Sequence, residues 1–285
     1  MDIRRFQAPP NGRFHLSRHD PGDHAHVNDK RAAERLLTKG IERLRDLQEK
    51  LYAQDRWSVL LVLQALDAAG KDGAIEHVMS GVNPQGCRVV PFKRPSEEEL
   101  DHDYLWRVAR ELPPRGEIGI FNRSHYEEVL VVRVHEDALA REKLPPTLVT
   151  KQIWKERYED IRNFEAYLSR NGWVIRKVFL HVSREEQRRR LLARIDDPQK
   201  RWKFQEGDLK ERSYWKQYMA AYDETIRETT TKAAPWYVVP ADHKWYARLV
   251  ISQILIDALE ALNLAYPAVD PQRRRVLEGL RKTLT

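Results

Sequence analysis

The sequence has a single cysteine, Cys87, so it can hold neither an internal disulfide nor a multi-cysteine zinc site. It has no apolar run near the roughly 18 residues that a membrane-spanning helix needs. Its start, MDIRRFQAPPNGRF, lacks the apolar core of a secretion signal. A guanine-reading Asn-Lys-x-Asp is missing, and so is any internal repeat. These absences set the expectation of a cytoplasmic protein that works away from membranes.

Charge is what the chain has in excess. Charged side chains make up 33% of it, 50 Lys and Arg against 43 Asp and Glu, for a net +7. Such a surface favours polyanions (nucleic acid, nucleotides, phosphate polymers) without choosing among them. The apolar fraction of 41% and eight tryptophans supply a core for one large α/β domain.

Residues 1–28 show no periodicity and read as an arm. Its His19, Asp20, Asp23, His24 and His26 lack a spacing that would gather them on a metal, so a solvated polar loop is expected. From Asp29 to Gln54, Leu36, Leu37, Ile41, Leu44, Leu47 and Leu51 share one helical face. WSVLLVLQAL (57–66) is an almost uninterrupted apolar run, as in a strand covered on both faces. Further strands are expected at 87–92, 117–121, 174–182 and 235–241. Helices are expected from Ala74, over 96–112 (Ser96 and Glu99 as a capping box), 150–171, 183–195, 209–230 and 242–264. This alternation predicts an α/β fold with a doubly wound, mainly parallel five-stranded sheet. Residues 1–56 would be an extension packed on a catalytic domain of 57–285.

Between the first strand and its helix, Ala65 to Asp72 align with the phosphate-binding loop Gly-x-x-x-x-Gly-Lys-Ser/Thr. In that pattern backbone N–H groups at a helix N-terminus surround phosphate oxygens, the lysine adds charge and the hydroxyl reaches magnesium. Gly70 and Lys71 stand in place. Ala65 replaces the first glycine, which is acceptable where φ is negative. Asp72 replaces the hydroxyl residue, and Asp67 lies inside the loop; both carboxylates suit magnesium. The strand–turn–helix context favours a phosphate cradle (Ala68, Ala69, Gly70, Lys71, Asp72, Gly73) over an ordinary polar turn.

The helix after the fourth strand is arginine-rich, with Arg190 and Arg194 four apart and Lys200, Arg201 and Lys203 beyond. Such a helix is usually a solvated face. Its position, however, suits a lid over about 183–230 that brings cations to a transferring phosphate and excludes water.

Four ordered stretches, LQALDAAGKDG, GEIGIFNRSHYEEVLVVRVH, RWKFQEGDLKERSYWKQY and APWYVVPADHKWYARL, resemble the polyphosphate kinase 2 family, its class III branch in particular. The resemblance runs over roughly residues 30–265. It implies a P-loop kinase-like fold with a helical lid. It also implies phosphoryl transfer between inorganic polyphosphate and nucleoside mono- and diphosphates, purines before pyrimidines, with Mg²⁺ or Mn²⁺. Homodimers or homotetramers are implied, and no nucleic-acid or membrane partner. By the same resemblance Asp67 is the metal carboxylate, Lys71 the phosphate-binding lysine, and Asn122 and Arg123 line the second motif. Glu128 is an orienting or metal-water carboxylate, and Arg133, Arg190, Arg194 and Lys203 reach the polyphosphate. Asn122 stands where other branches carry an aspartate, and Ala65 where the family has glycine. His125 reads as packed or solvated, because an ionised phosphate oxygen has no proton for a base to remove. The residues themselves leave open an ATP-dependent nucleoside monophosphate kinase and a nucleic-acid-binding module.

Overall fold

The computed structural model of the chain describes residues 1–10, 12–24, 27 and 29–284. β1 (Ser58–Gln64) is buried at every position: Val59, Leu61 and Leu63 turn to one side, Leu60 and Val62 to the other. It is the middle strand of an all-parallel sheet whose members are β2 (Cys87–Pro91), β3 (Ile118–Asn122), β4 (Trp173–His181) and β5 (Trp236–Pro240). The spatial order is β2-β3-β1-β4-β5. Each strand falls within two residues of its expected stretch. The connection leaving β1 runs toward β2 and the one leaving β4 toward β5. The carboxyl ends of these neighbours therefore open a crevice, where open α/β sheets bind ligands.

The helices are α1 (Lys30–Gln54), α2 (Lys71–Val78), α3 (Glu97–Leu100), α4 (Trp106–Ala109), α5 (Glu136–Leu139), α6 (Ile153–Arg170), α7 (Arg184–Asp196), α8 (Glu206–Ser213), α9 (Trp215–Thr229), α10 (Lys244–Glu260) and α11 (Pro271–Leu284). α1, α2 and α10 cover the Val59/Leu61/Leu63 face, while α6 and α9 cover the other with Tyr158, Ile161, Tyr222 and Ile226. α10 is sandwiched between the sheet and α1, which explains its nearly all-round apolar sequence.

Two expected helices are interrupted. The segment 96–112 keeps its Ser96/Glu99 capping box but divides into α3 and α4, because Asp103 Oδ1 takes the Leu105 N–H at 2.9 Å and turns the chain. The segment 209–230 breaks at Tyr214, between α8 and α9. Residues 1–10 and 12–24 pack more closely than an aperiodic arm suggests. Ile3, Phe6, Ala8, Phe14 and Leu16 are buried one at a time, and Ala8 N donates to Trp236 O at 2.8 Å. Single anchors of this kind leave no period to read. Of the arm's histidines and aspartates, His26 lies outside the described residues. Asp23 pairs with Arg5, His24 Nδ1 meets Val27 O at 3.1 Å, and among the described residues no three His, Cys, Asp or Glu are grouped to hold a metal. α11 was not expected, although Asp270, whose Oδ1 accepts from Arg273 N at 2.9 Å, and Pro271 form a legible helix start.

Candidate active site

The stretch from Ala65 to Gly70 links the buried end of β1 to α2 through two left-handed residues, Ala68 (φ 62°) and Gly70 (φ 107°). Ala65 is not a positive-φ position, so alanine there carries no backbone penalty relative to glycine. The loop is held from behind by α7. Arg190 donates to Ala69 O at 2.6 Å and Ala68 O at 3.2 Å, then to Ala241 O and Asp242 O at 2.6 and 3.1 Å. Gln187 Nε2 donates to Asp67 O at 3.0 Å. With these carbonyls turned toward α7, the planar peptide points the N–H groups of Ala68 and Gly70 the other way. The first N–H groups of α2, on Lys71, Asp72 and Gly73, have no partner within the helix. A donor-rich concavity at a helix N-terminus suits an anion.

On that concavity converge groups from two strand ends. Lys71 is buried, and its Nζ donates to Ala65 O at 2.8 Å. Burial, then the nearby Arg123, pushes its ammonium below the usual lysine range, while Asp67, Glu127 and Asp72 oppose the shift. β3 ends at Asn122, whose Nδ2 donates to Asp72 Oδ1 at 2.7 Å. Next comes Arg123, at φ 65°, with Nη2 on Asp67 Oδ1 at 2.9 Å. Glu127 is the strongest influence keeping this guanidinium charged. The Glu127 carboxyl is itself raised by burial, against the pull of Arg123 and Lys71. With its amide turned to satisfy both ends, Gln64 donates to Glu127 Oε1 at 2.8 Å and accepts from Ser124.

Asp67, Lys71, Asp72, Asn122 and Arg123 are thus assembled as a unit, with the loop residues Ala68, Ala69, Gly70 and Gly73 beneath them. Glu128 is not part of it. Its neighbour Glu127 takes that place, and Glu128 points to α6, paired with Arg157 Nε at 3.0 Å. Consecutive residues of a helical turn face about 100° apart, so only one of the two can face the loop. Arg133 also turns away, onto Glu224 at 2.7 Å and the Tyr158 hydroxyl at 2.5 Å. Arg190 spends its donors on backbone carbonyls rather than facing the concavity. Arg194 rests on Asp208 at 3.3 Å, and Lys203 is exposed beside the Trp202 ring. Asp208, on α8, is raised by burial and by the like charge of Asp67.

Under Arg123 lies a buried polar network. Lys177 Nζ donates to Glu165 at 2.5 Å, Tyr126 Oη at 2.9 Å and Thr229 O at 2.8 Å, and Tyr126 Oη donates to Glu165 at 2.7 Å. It anchors the turn Ser124–Glu127 to α6, β4 and α9. His125 is packed here, with burial pushing its imidazole below the usual range.

A parallel α/β sheet with a lysine-bearing loop at a helix N-terminus, a cationic strand end and a helix fastened to the back of the loop is the architecture of P-loop kinase-like phosphotransferases. The chain belongs to the polyphosphate kinase 2 family, whose model, Polyphosphate kinase 2, matches residues 27–266. It is 54% identical over 250 residues, 87% of this chain and 86% of the other, to an ADP-polyphosphate phosphotransferase of Rhodopseudomonas palustris. To an AMP/ADP-polyphosphate phosphotransferase of Meiothermus ruber it is 48% identical over 276 residues, 96% of this chain and 99% of the other. The crystal structure of polyphosphate kinase 2 from Arthrobacter aurescens superposes with a TM-score of 0.87 at 40% identity, covering 96% of this chain and 95% of that one.

Proposed function

We propose that the protein transfers the terminal phosphoryl group of inorganic polyphosphate to nucleoside mono- and diphosphates, making ADP from AMP and ATP from ADP, reversibly and with purines preferred. The observation that carries this reading is the convergence of Lys71, Arg123 and the free amides of α2 on one concavity, in a chain whose relatives are named for AMP or ADP with polyphosphate. An oxygen of the acceptor's terminal phosphate bonds to the donor's terminal phosphorus as the bridging anhydride bond breaks. The shortened polyphosphate leaves as an anion. Both the attacking and leaving oxygens are already ionised, so no proton-abstracting residue is needed; positioning and charge stabilisation suffice. Lys71, Arg123 and the loop amides supply the charge stabilisation, and α7–α8 would close as a lid over about 183–230.

Asp67 is a partly exposed carboxylate inside the loop, and one hard oxygen donor of this kind fits a magnesium ion held mainly by substrate phosphates and water. Asp67 would hold Mg²⁺, with Mn²⁺ as a substitute, and the ion would neutralise charge on the donor's oxygens. We further place the protein in the cytoplasm as a homodimer or homotetramer. The apolar residues Val276, Leu277 and Leu280 of α11, exposed in the single chain, support an oligomer, and among the described residues no helix is long and apolar enough to cross a membrane. The test is incubation with polyphosphate and Mg²⁺, without ATP, against AMP and ADP separately. Formation of ADP and ATP is expected; absence of both products, with turnover restored by ATP as donor, would overturn the reading.

A further inference from the structure

Of the cations expected to meet the donor, Arg190 is bound to the loop's backbone and Arg194 to Asp208. Two others beside the loop have no such engagement. Lys244 and Arg248 lie four apart near the start of α10, on the face toward α2. Among the described residues neither side chain forms a hydrogen bond or an ion pair. Arg248 is half-buried, and a methyl group on Gly73 in the first turn of α2 would sit 3.6 Å from its Nη2. Burial pushes the Lys244 ammonium down, and Arg190, Arg248 and Lys200 add like charge against Glu186 alone. That acid is already committed to Arg190 at 2.7 Å and to Arg189. For Arg248, whose guanidinium burial also lowers, the facing acids are Glu76 and Glu34. Cations crowded together without partners repel one another, and a polyanion lying across them removes the repulsion while releasing counterions.

We propose that Lys244 and Arg248 form a donor track, on which the polyphosphate chain runs from the loop over the bare Gly73 face of α2 and along α10. This rests on the polyphosphate reading above and adds the residues that select donor length. A short donor ends within the loop, whereas a long one extends onto the track.

The experiment compares tripolyphosphate with size-fractionated long-chain polyphosphate in wild type, Lys244→Gln, Arg248→Gln, the double variant and Arg248→Lys. For the double variant we expect the long-chain KM to rise about tenfold and the slope of log KM against log salt to shrink by about one per cation removed. The tripolyphosphate KM and the nucleotide KM should change little, and Arg248→Lys should restore most of the loss. An equal change for both donors, or none for either, in a wild-type background that does use polyphosphate would overturn the track alone. A wild type inert toward every polyphosphate but active with ATP would overturn the polyphosphate reading and the track with it.

Discussion

Lys71 is almost shut off from solvent, yet it faces Asp67, Asp72 and Glu127, three carboxylates that favour its charged form. A cation so placed needs no reorganisation when charge develops on a transferring phosphoryl group. Lys71→Ala is therefore expected to cut kcat at least ~100-fold, as loss of one preorganised charge does, while the fold persists. A melting curve beside the kinetics checks both, and a folded variant with near-normal turnover would remove the lysine from the mechanism. The adjacent acids Glu127 and Glu128 should separate just as sharply. Glu127→Gln weakens the hold on Arg123, so it should lower kcat with little change in stability. Glu128→Gln weakens a buried pair with Arg157, so it should cost about 1–3 kcal/mol of stability and leave most of the activity. Urea unfolding and steady-state rates on the two variants decide which acid faces the chemistry.

At the scale of elements, the loop between β1 and α2 is not shaped by its own sequence alone. α7 crosses behind it and fastens four carbonyls from two different strand ends with one guanidinium. Arg190→Met would leave those carbonyls buried without a donor. The expected loss is about 2–4 kcal/mol in urea unfolding, with reduced turnover and an unchanged salt slope for the donor. Unaltered stability with a collapse of donor affinity would instead mean that Arg190 reaches the anion. The next helix, α8, is held differently. Glu211 of α8 accepts from Tyr218 at 2.6 Å and meets His135 Nε2 at 2.9 Å, next to the break at Tyr214. These contacts join α8 to α9 and to the segment after β3, the same segment that carries Arg123.

For the molecule as a whole, the junction of the N-terminal segment with the sheet contains a pH-sensitive group. His181 closes β4 beside Phe179, and burial, reinforced by His19, lowers its imidazole from 6.5 to about 4. Folding therefore keeps it neutral where the unfolded chain binds a proton. Its contribution is complete above about pH 6.5 and is lost as pH falls toward 4. At about 1.4 kcal/mol per unit the shift from 6.5 to about 4 amounts to about 3.5 kcal/mol. Urea midpoints between pH 7.5 and 4.5 should fall through this window, and His181→Gln should flatten part of the fall. Identical pH profiles for the two proteins would contradict the assignment.

The order of strands and helices was legible because apolar runs such as 57–66 and the capping residues Ser96 and Ser183 act locally. Gly70-Lys71 between strand and helix, with Asp67 inside the turn, likewise announced the loop. By itself the sequence determined a parallel α/β sheet, a Gly-Lys turn between its first strand and helix, and a surplus of cations. It did not determine where those cations point. Arg133, Arg190 and Arg194 have the charge expected of anion ligands, but each is engaged by partners from distant parts of the chain: Glu224, the carbonyls of Ala69 and Ala241, and Asp208. Glu127 and Glu128 look alike as adjacent acids in a sequence, and only the packing of α6 decides which one turns inward. Composition and period are properties of neighbours along the chain. The direction of a charged side chain is set by which carbonyls and carboxylates the fold brings within hydrogen-bonding reach, and that only the tertiary structure decides.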